Sequence, residues 1–185
     1  MPAAGAVRLV QDFVNTFEPQ VGAEQLTTPE QLRDWLAERH LLPAGARLRP
    51  QDLATALTVR EGLRAVLRAH AGHPVDTAAL DALNQVLAPV HPAFTAEGYR
   101  LVAAGGSAFG RALAGLLDAV RQSAEDGTWT RLKVCDRDTC RWAYYDESRN
   151  RVRRWCSMAG CGNHVKMRRA YTARAARRRQ AEGDA

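Results

Sequence analysis

Four cysteines stand in two pairs. Cys135 and Cys140 are separated by four residues, Cys156 and Cys161 likewise, and fifteen residues lie between the pairs. Thiolates are soft ligands, and two short-spaced pairs flanking a loop of this length are the usual layout of a tetrahedral zinc site. The four-residue spacer is wider than the common two but within the range of such turns. Four thiolates leave no coordination position open to water, so the expected cofactor is one structural Zn2+, not a catalytic one. The competing reading is a pair of disulfides or four unrelated thiols. Compartment decides between them. The opening MPAAGAVRLVQDFVNTF has no cationic segment followed by a long apolar one. No run of apolar residues is long enough to span a bilayer. The expected location is therefore cytoplasmic, where thiols stay reduced and clustered cysteines hold metal. The segment around the cysteines has few aliphatic residues, so metal binding must supply its folding free energy. Removing the ion is expected to unfold residues 131–166 and spare the rest.

The charge is uneven. Residues 1–130 carry 11 Lys/Arg against 14 Asp/Glu, whereas residues 131–185 carry 15 against 6. An acidic body thus precedes a basic tail, and basic modules commonly meet nucleic acid. We place the boundary after residue 127, giving a helical body at 1–127 and a zinc module at 128–185. The fold class expected is mainly α: a multihelical body, then a small four-cysteine module of two short strands and a C-terminal basic helix.

The elements that must position the cysteines follow from spacing and caps. Leu9, Val10, Phe13, Val14 and Phe17 share a helical face, and Pro19 closes that segment. Thr28-Pro29-Glu30-Gln31 is a capping box with proline at the first helical position. Pro50 opens a third helix carrying Leu53, Leu57, Leu63 and Leu67, which ends between His70 and Pro74. Asp76 caps a fourth and Ser107 a fifth, and Glu97-Gly98 suggests a hairpin between them. RLKVC (131–135) and WAYYD (142–146) read as short strands. Gly162 would turn the chain sharply beside the last ligand, and Asn163 would cap a basic helix running to about Arg179.

The stretch W-x-RLKVC-x4-C-x-WAYYDESRN-x-x-RRWCSMAGCGN-x-x-K (129–166) closely resembles the CGNR zinc finger. LVQDFVNTFEP (9–19) and VREGLRAVLRAH (59–70) resemble parts of the helical ABATE domain that precedes this finger in stress-induced transcription regulators. The resemblance implies a zinc-dependent, DNA-binding regulator with Cys135, Cys140, Cys156 and Cys161 as zinc ligands. One position departs: His164 stands where the family has the arginine of Cys-Gly-Asn-Arg. If that arginine contacts phosphate, the contact here is weaker or pH-dependent. If it braces the knuckle, little changes.

Candidate nucleic-acid contacts are Arg149, Arg151, Arg153 and Arg154 in the loop between the cysteine pairs. His164, Lys166, Arg168, Arg169, Arg174, Arg177 and Arg178 follow on the helix. Val165, Met167, Ala170 and Tyr171 would pack back on the module. In the body, Asp12, Asn15 and Arg60 are polar residues among apolar ones. They form either a buried Asp12–Arg60 pair that fixes helix packing, or the polar end of a ligand pocket. No nucleotide-binding, metalloprotease or nucleophile-elbow motif occurs, and all four thiols are committed, so no enzyme is expected. The partners expected are DNA, a second copy of the chain and a small-molecule effector, with no membrane. The rival readings are a zinc-stabilised protein-interaction module and an RNA-binding protein.

Overall fold

The computed structural model describes residues 5–96 and 98–183, without the side chains of residues 178 and 181–183. Among the described residues no helix is long and apolar enough to cross a membrane.

Helix α1 (Gly5–Val14) buries Val7, Val10, Phe13 and Val14, whose three- and four-residue spacing puts them on one face. Helix α2 (Pro29–Glu38) begins at the expected capping box. The Gln31 backbone N–H donates to Thr28 Oγ1, and the Thr28 N–H donates to Gln31 Oε1. Helix α3 (Pro50–His70) is the central post, in contact with α1, α2 and α4. Helix α4 (Thr77–Leu87) is capped by the Asp76 carboxylate. It lies so close to α3 that a Cβ on Gly62 would come within 2.6 Å of Leu83 Cβ. The hairpin of β3 (Val90–Thr95) and β4 (Gly98–Ala103) packs on α5 (Ala108–Glu125), which Ser107 caps. Its turn is where Glu97-Gly98 predicts it, although Glu97 itself lies outside the described residues.

A small antiparallel pair, β1 (Phe17–Glu18) with β2 (Ala23–Glu24), has no counterpart in the sequence reading. It matters because it folds Glu24 back onto α3. Arg60 donates from Nη1 and Nη2 to the two Glu24 carboxylate oxygens, each at 2.7 Å, and from Nη1 to Thr16 Oγ1 at 3.2 Å. The Asp12–Arg60 pair is therefore not formed. Arg60 is 4% exposed, so it needs a carboxylate, and the β1–β2 turn brings a different one within reach. Asp12 stays half-buried on α1, and its side chain has no hydrogen bond or ion pair among the described residues.

Strands β5 (Leu132–Val134) and β6 (Ala143–Tyr145) form where predicted. Leu132, Val134 and Ala143 are at most 1% exposed and belong to the same core as the helices. The change of composition near residue 128 thus marks a change of chemistry; the hydrophobic core continues across it. Polar groups of the body fasten the hairpin. The Asn15 side-chain amide exchanges two hydrogen bonds with the Ala143 backbone, at 2.8 and 2.9 Å, as a neighbouring strand would. Arg64 donates to the Arg141 carbonyl at 2.9 Å, and His73 Nε2 meets Asp136 Oδ1 at 2.8 Å.

His70 adds a pH-sensitive fastening. Its Nδ1 lies 2.9 Å from the Leu132 carbonyl, so the ring donates from that nitrogen, and its edge meets Trp129. Burial holds the His70 pKa below the ordinary histidine value, against the pull of the Leu132 carbonyl. The folded chain thus takes up this proton less readily than the unfolded one. The stability involved is present above the unfolded pKa of about 6.5 and is lost as the pH falls through it. Melting temperature should drop between pH 7.5 and 5.5. His70→Asn, which keeps a neutral donor in place of Nδ1, should flatten that drop.

Candidate metal centre and nucleic-acid interface

The first cysteine pair is held by the hairpin. Cys135 follows β5, and its N–H donates to the Trp142 carbonyl at 2.9 Å. Cys140 closes a turn on the Arg137 carbonyl at 2.8 Å. The chain leaves this turn through Arg141, whose φ of 48° lies in the left-handed region that side chains disfavour. Arg64 clamps the Arg141 carbonyl from the body, which fixes that conformation. Sequence reasoning missed this role; its signal was a second arginine one turn beyond Arg60 on the buried side of α3.

The second pair sits on an irregular helix start. A π-helical turn, Met158–Gly162, carries Cys161 and runs directly into α6 (Asn163–Gly183). The cap is Ser157, whose Oγ accepts from the Gly160 N–H at 3.2 Å. Asn163 is therefore not the cap. It is already helical, and its side chain donates to the Ala159 carbonyl. Nor does Gly162 make a sharp turn. A Cβ there would meet Met158 Sδ at 2.9 Å and Trp155 at 3.5 Å, so glycine serves close packing.

The four sulfurs converge, all within 4.8 Å of one another. Cys156 Sγ lies 3.8 Å from both Cys140 Sγ and Cys161 Sγ. A disulfide needs about 2.05 Å, so none of these pairs is bonded. A tetrahedron of sulfurs about 2.3 Å from zinc has edges of about 3.8 Å, and the cluster fits that ion. Thiols this close do not ionise independently. The hydrogen bond from Cys140 pulls the Cys135 thiol down to about 5. The same hydrogen bond pushes Cys140 far up, and burial pushes Cys156 up to about 12. Full deprotonation needs a cation at the centre, which a structural zinc supplies. His164 is not part of the cluster.

The arginines near the cluster divide their work. Arg137 Nη1 reaches Cys161 Sγ at 3.9 Å and is placed to offset thiolate charge. Arg153 donates to the Trp155 and Cys156 carbonyls, and Arg154 pairs with Asp136. Both are thus spent on the module's own structure. Arg151 reaches Thr130, and Arg149 is exposed. Beneath the loop lies a pair that sequence reasoning passed over. Lys133 Nζ donates to Asp146 Oδ2 at 2.8 Å, and Asp146 is fully buried. Asp146 also accepts from the backbone of Ser148 and Arg153, and so shapes the path to Cys156. Burial raises its pKa, but the Lys133 and Ser148 hydrogen bonds outweigh that, and the net shift is downward. A lysine between two apolar residues of a strand, Leu132 and Val134, was the available signal.

Helix α6 projects from the cluster. His164, Arg168 and Arg169 face a groove of about 600 Å3 opposite the acidic turn Asp136–Thr139. Lys166, Arg174 and Arg177, eight and three residues apart, follow the opposite face. The Arg178 side chain lies outside the described residues. Met167 and Tyr171 do not pack back on the module; they are 70% and 77% exposed, and Ala170 is exposed as well. The reason is that α6 packs mainly against the π-helical turn from which it grows and leaves the core after its first turn. Among the described residues, none of the α6 cations is paired with a carboxylate.

No curated protein matches the chain. Residues 131–180 match the CGNR zinc finger. Residues 7–133 match ABATE, described as "Putative stress-induced transcription regulator", and this match runs from within α1 to within β5. The chain, a helical body fastened to a four-cysteine zinc hairpin with a basic helix beyond it, belongs to the ABATE family and ends in a CGNR zinc finger.

Proposed function

We propose that the protein is a zinc-dependent, DNA-binding transcription regulator that acts by binding rather than catalysis. The observation that carries this reading is α6: a long helix whose described cations are solvent-facing and unpaired, rooted at the fourth zinc ligand. Flexible cations along one helix face suit the phosphates flanking a major groove. The zinc centre gives that helix a defined direction, because the π-helical turn from which it grows contains Cys161. Lys166, Arg174 and Arg177 are the outward contacts, with Arg149 added from the loop. The helical body would supply self-association, which sets half-site spacing, or the sensing of a small molecule.

The test is enrichment of genomic DNA fragments on the zinc-loaded protein, followed by affinity measurements over a range of salt. Binding should weaken by roughly 0.9 log unit per log unit of salt for each phosphate neutralised. Lys166→Ala/Arg174→Ala/Arg177→Ala should cut that slope by about 3 units while leaving the fold intact. Retention that does not respond to salt, or is unchanged in the variant, would overturn the reading and favour a protein partner.

A further inference from the structure

One cleft in the body keeps polar groups that the fold leaves unpaired. It measures about 360 Å3 and lies between α1, the end of α2 and the zinc hairpin. Arg8, Gln11 and Asp12 line it from α1, Trp35 and Arg39 from α2 and its C-cap, and Trp142 from the residue just before β6. The Gln11 amide nitrogen donates to the Ala143 carbonyl at 3.3 Å, but its Oε1 is buried without a partner. Among the described residues the Arg8 and Asp12 side chains, one helical turn apart, have no hydrogen-bond or ion-pair partner. Arg39 stacks on the Trp35 ring at 3.9 Å, donates from Nη1 to the Trp35 carbonyl and to Glu38, and keeps Nη2 and Nε for a ligand while part-exposed. Burying an acceptor without a donor is unfavourable, so a ligand that brings a donor to this spot is favoured.

We propose that this cleft binds a small aromatic zwitterion, an amino acid with a planar side chain. The groups present specify each part. Asp12 and Gln11 Oε1 are acceptors with nothing to accept, and they suit an ammonium group. Arg8 and Arg39 supply the cations for a carboxylate. The part-buried Trp142 indole offers a face for a planar apolar group. The volume is at the small end of ligand pockets, as a single amino acid requires. Trp142 also packs against the cysteine cluster, so an occupant would touch the body and the zinc hairpin together. The proposal deepens the sensing role suggested above, but its test needs no DNA, so the two can fail separately.

The test is calorimetric titration of the zinc-loaded full chain with L-phenylalanine, L-tyrosine and L-tryptophan. Phenylacetate and phenethylamine, each lacking one charge, are the controls. At least one amino acid should bind and raise the melting temperature. Each control should bind at least about tenfold more weakly than L-phenylalanine, or than L-tyrosine or L-tryptophan if those bind best. Asp12→Asn should weaken amino-acid binding by about tenfold and leave phenylacetate unaffected. Arg8→Gln should weaken both. Both positions are outside the core, so these variants should fold. No binding of any of the three amino acids, or equal binding of both controls, would overturn the proposal.

Discussion

Stripping zinc from the intact protein is expected to release residues 156–183 while leaving the β5–β6 hairpin in place. Structural zinc contributes on the order of 10 kcal/mol to sites of this kind. Composition alone makes residues 131–166 the unit that should melt. Packing moves the limit. Leu132, Val134 and Ala143 are sealed in the core of the helical body; Asn15 and His70 hold the Ala143 and Leu132 backbone, Arg64 holds the Arg141 carbonyl and His73 pairs with the Asp136 carboxylate. The second cysteine pair is held instead by polar contacts of the loop itself, Arg153 to the Cys156 carbonyl and Arg154 to Asp136. Cys156 follows an exposed loop, and α6 has no buried residue among those described. The ion is thus the joint between a fixed half-site and a loose one. Hydrogen exchange before and after chelation should show α6 and Met158–Gly162 losing protection. The amides of Leu132–Val134 and Ala143–Tyr145 should keep theirs. Loss of protection across the hairpin as well would mean that the body does not hold it.

The second large effect is expected at Asp146. Replacing it with alanine leaves the Lys133 ammonium, 6% exposed, without its carboxylate. Breaking one half of a buried pair costs about 3–5 kcal/mol, which for a chain of this length is roughly 10 °C in melting temperature. Asp146 also holds the Ser148 and Arg153 backbone on the way to Cys156, so zinc affinity should fall about 10–100-fold with it. Lys133→Met combined with Asp146→Leu should recover much of the stability without recovering the zinc affinity. If Asp146→Ala weakens neither quantity, the pair has no structural role.

What the sequence disclosed is largely what depends on near neighbours. Thr28, Asp76 and Ser107 cap the helices they precede because a cap is written within four residues. The zinc ligands are equally local, two turns of fixed chemistry. What it concealed depends on residues far apart. Arg60 takes Glu24, 36 positions away, because an unanticipated turn delivers it. Asn15 pairs with Ala143 across 128 positions, and no periodicity of the α1 helix it follows announces that. The Ser157 cap was obscured because two plausible caps stand close together, and a π-helical turn starts the helix earlier than Asn163 would. Met167 and Tyr171 have the spacing of a packed face, but α6 leaves the core before they could use it.

The central claim is that zinc aims α6 at DNA, and one titration addresses it directly. The full chain is stripped of metal, incubated with an enriched DNA fragment at fixed salt, and given zinc in steps. Affinity should rise and saturate at one equivalent of zinc per chain, and the Lys166→Ala/Arg174→Ala/Arg177→Ala variant should stay weak throughout. Equal affinity with and without zinc, at the same salt slope, would contradict the account: α6 would then act as a free basic tail, and the four cysteines would serve the fold alone.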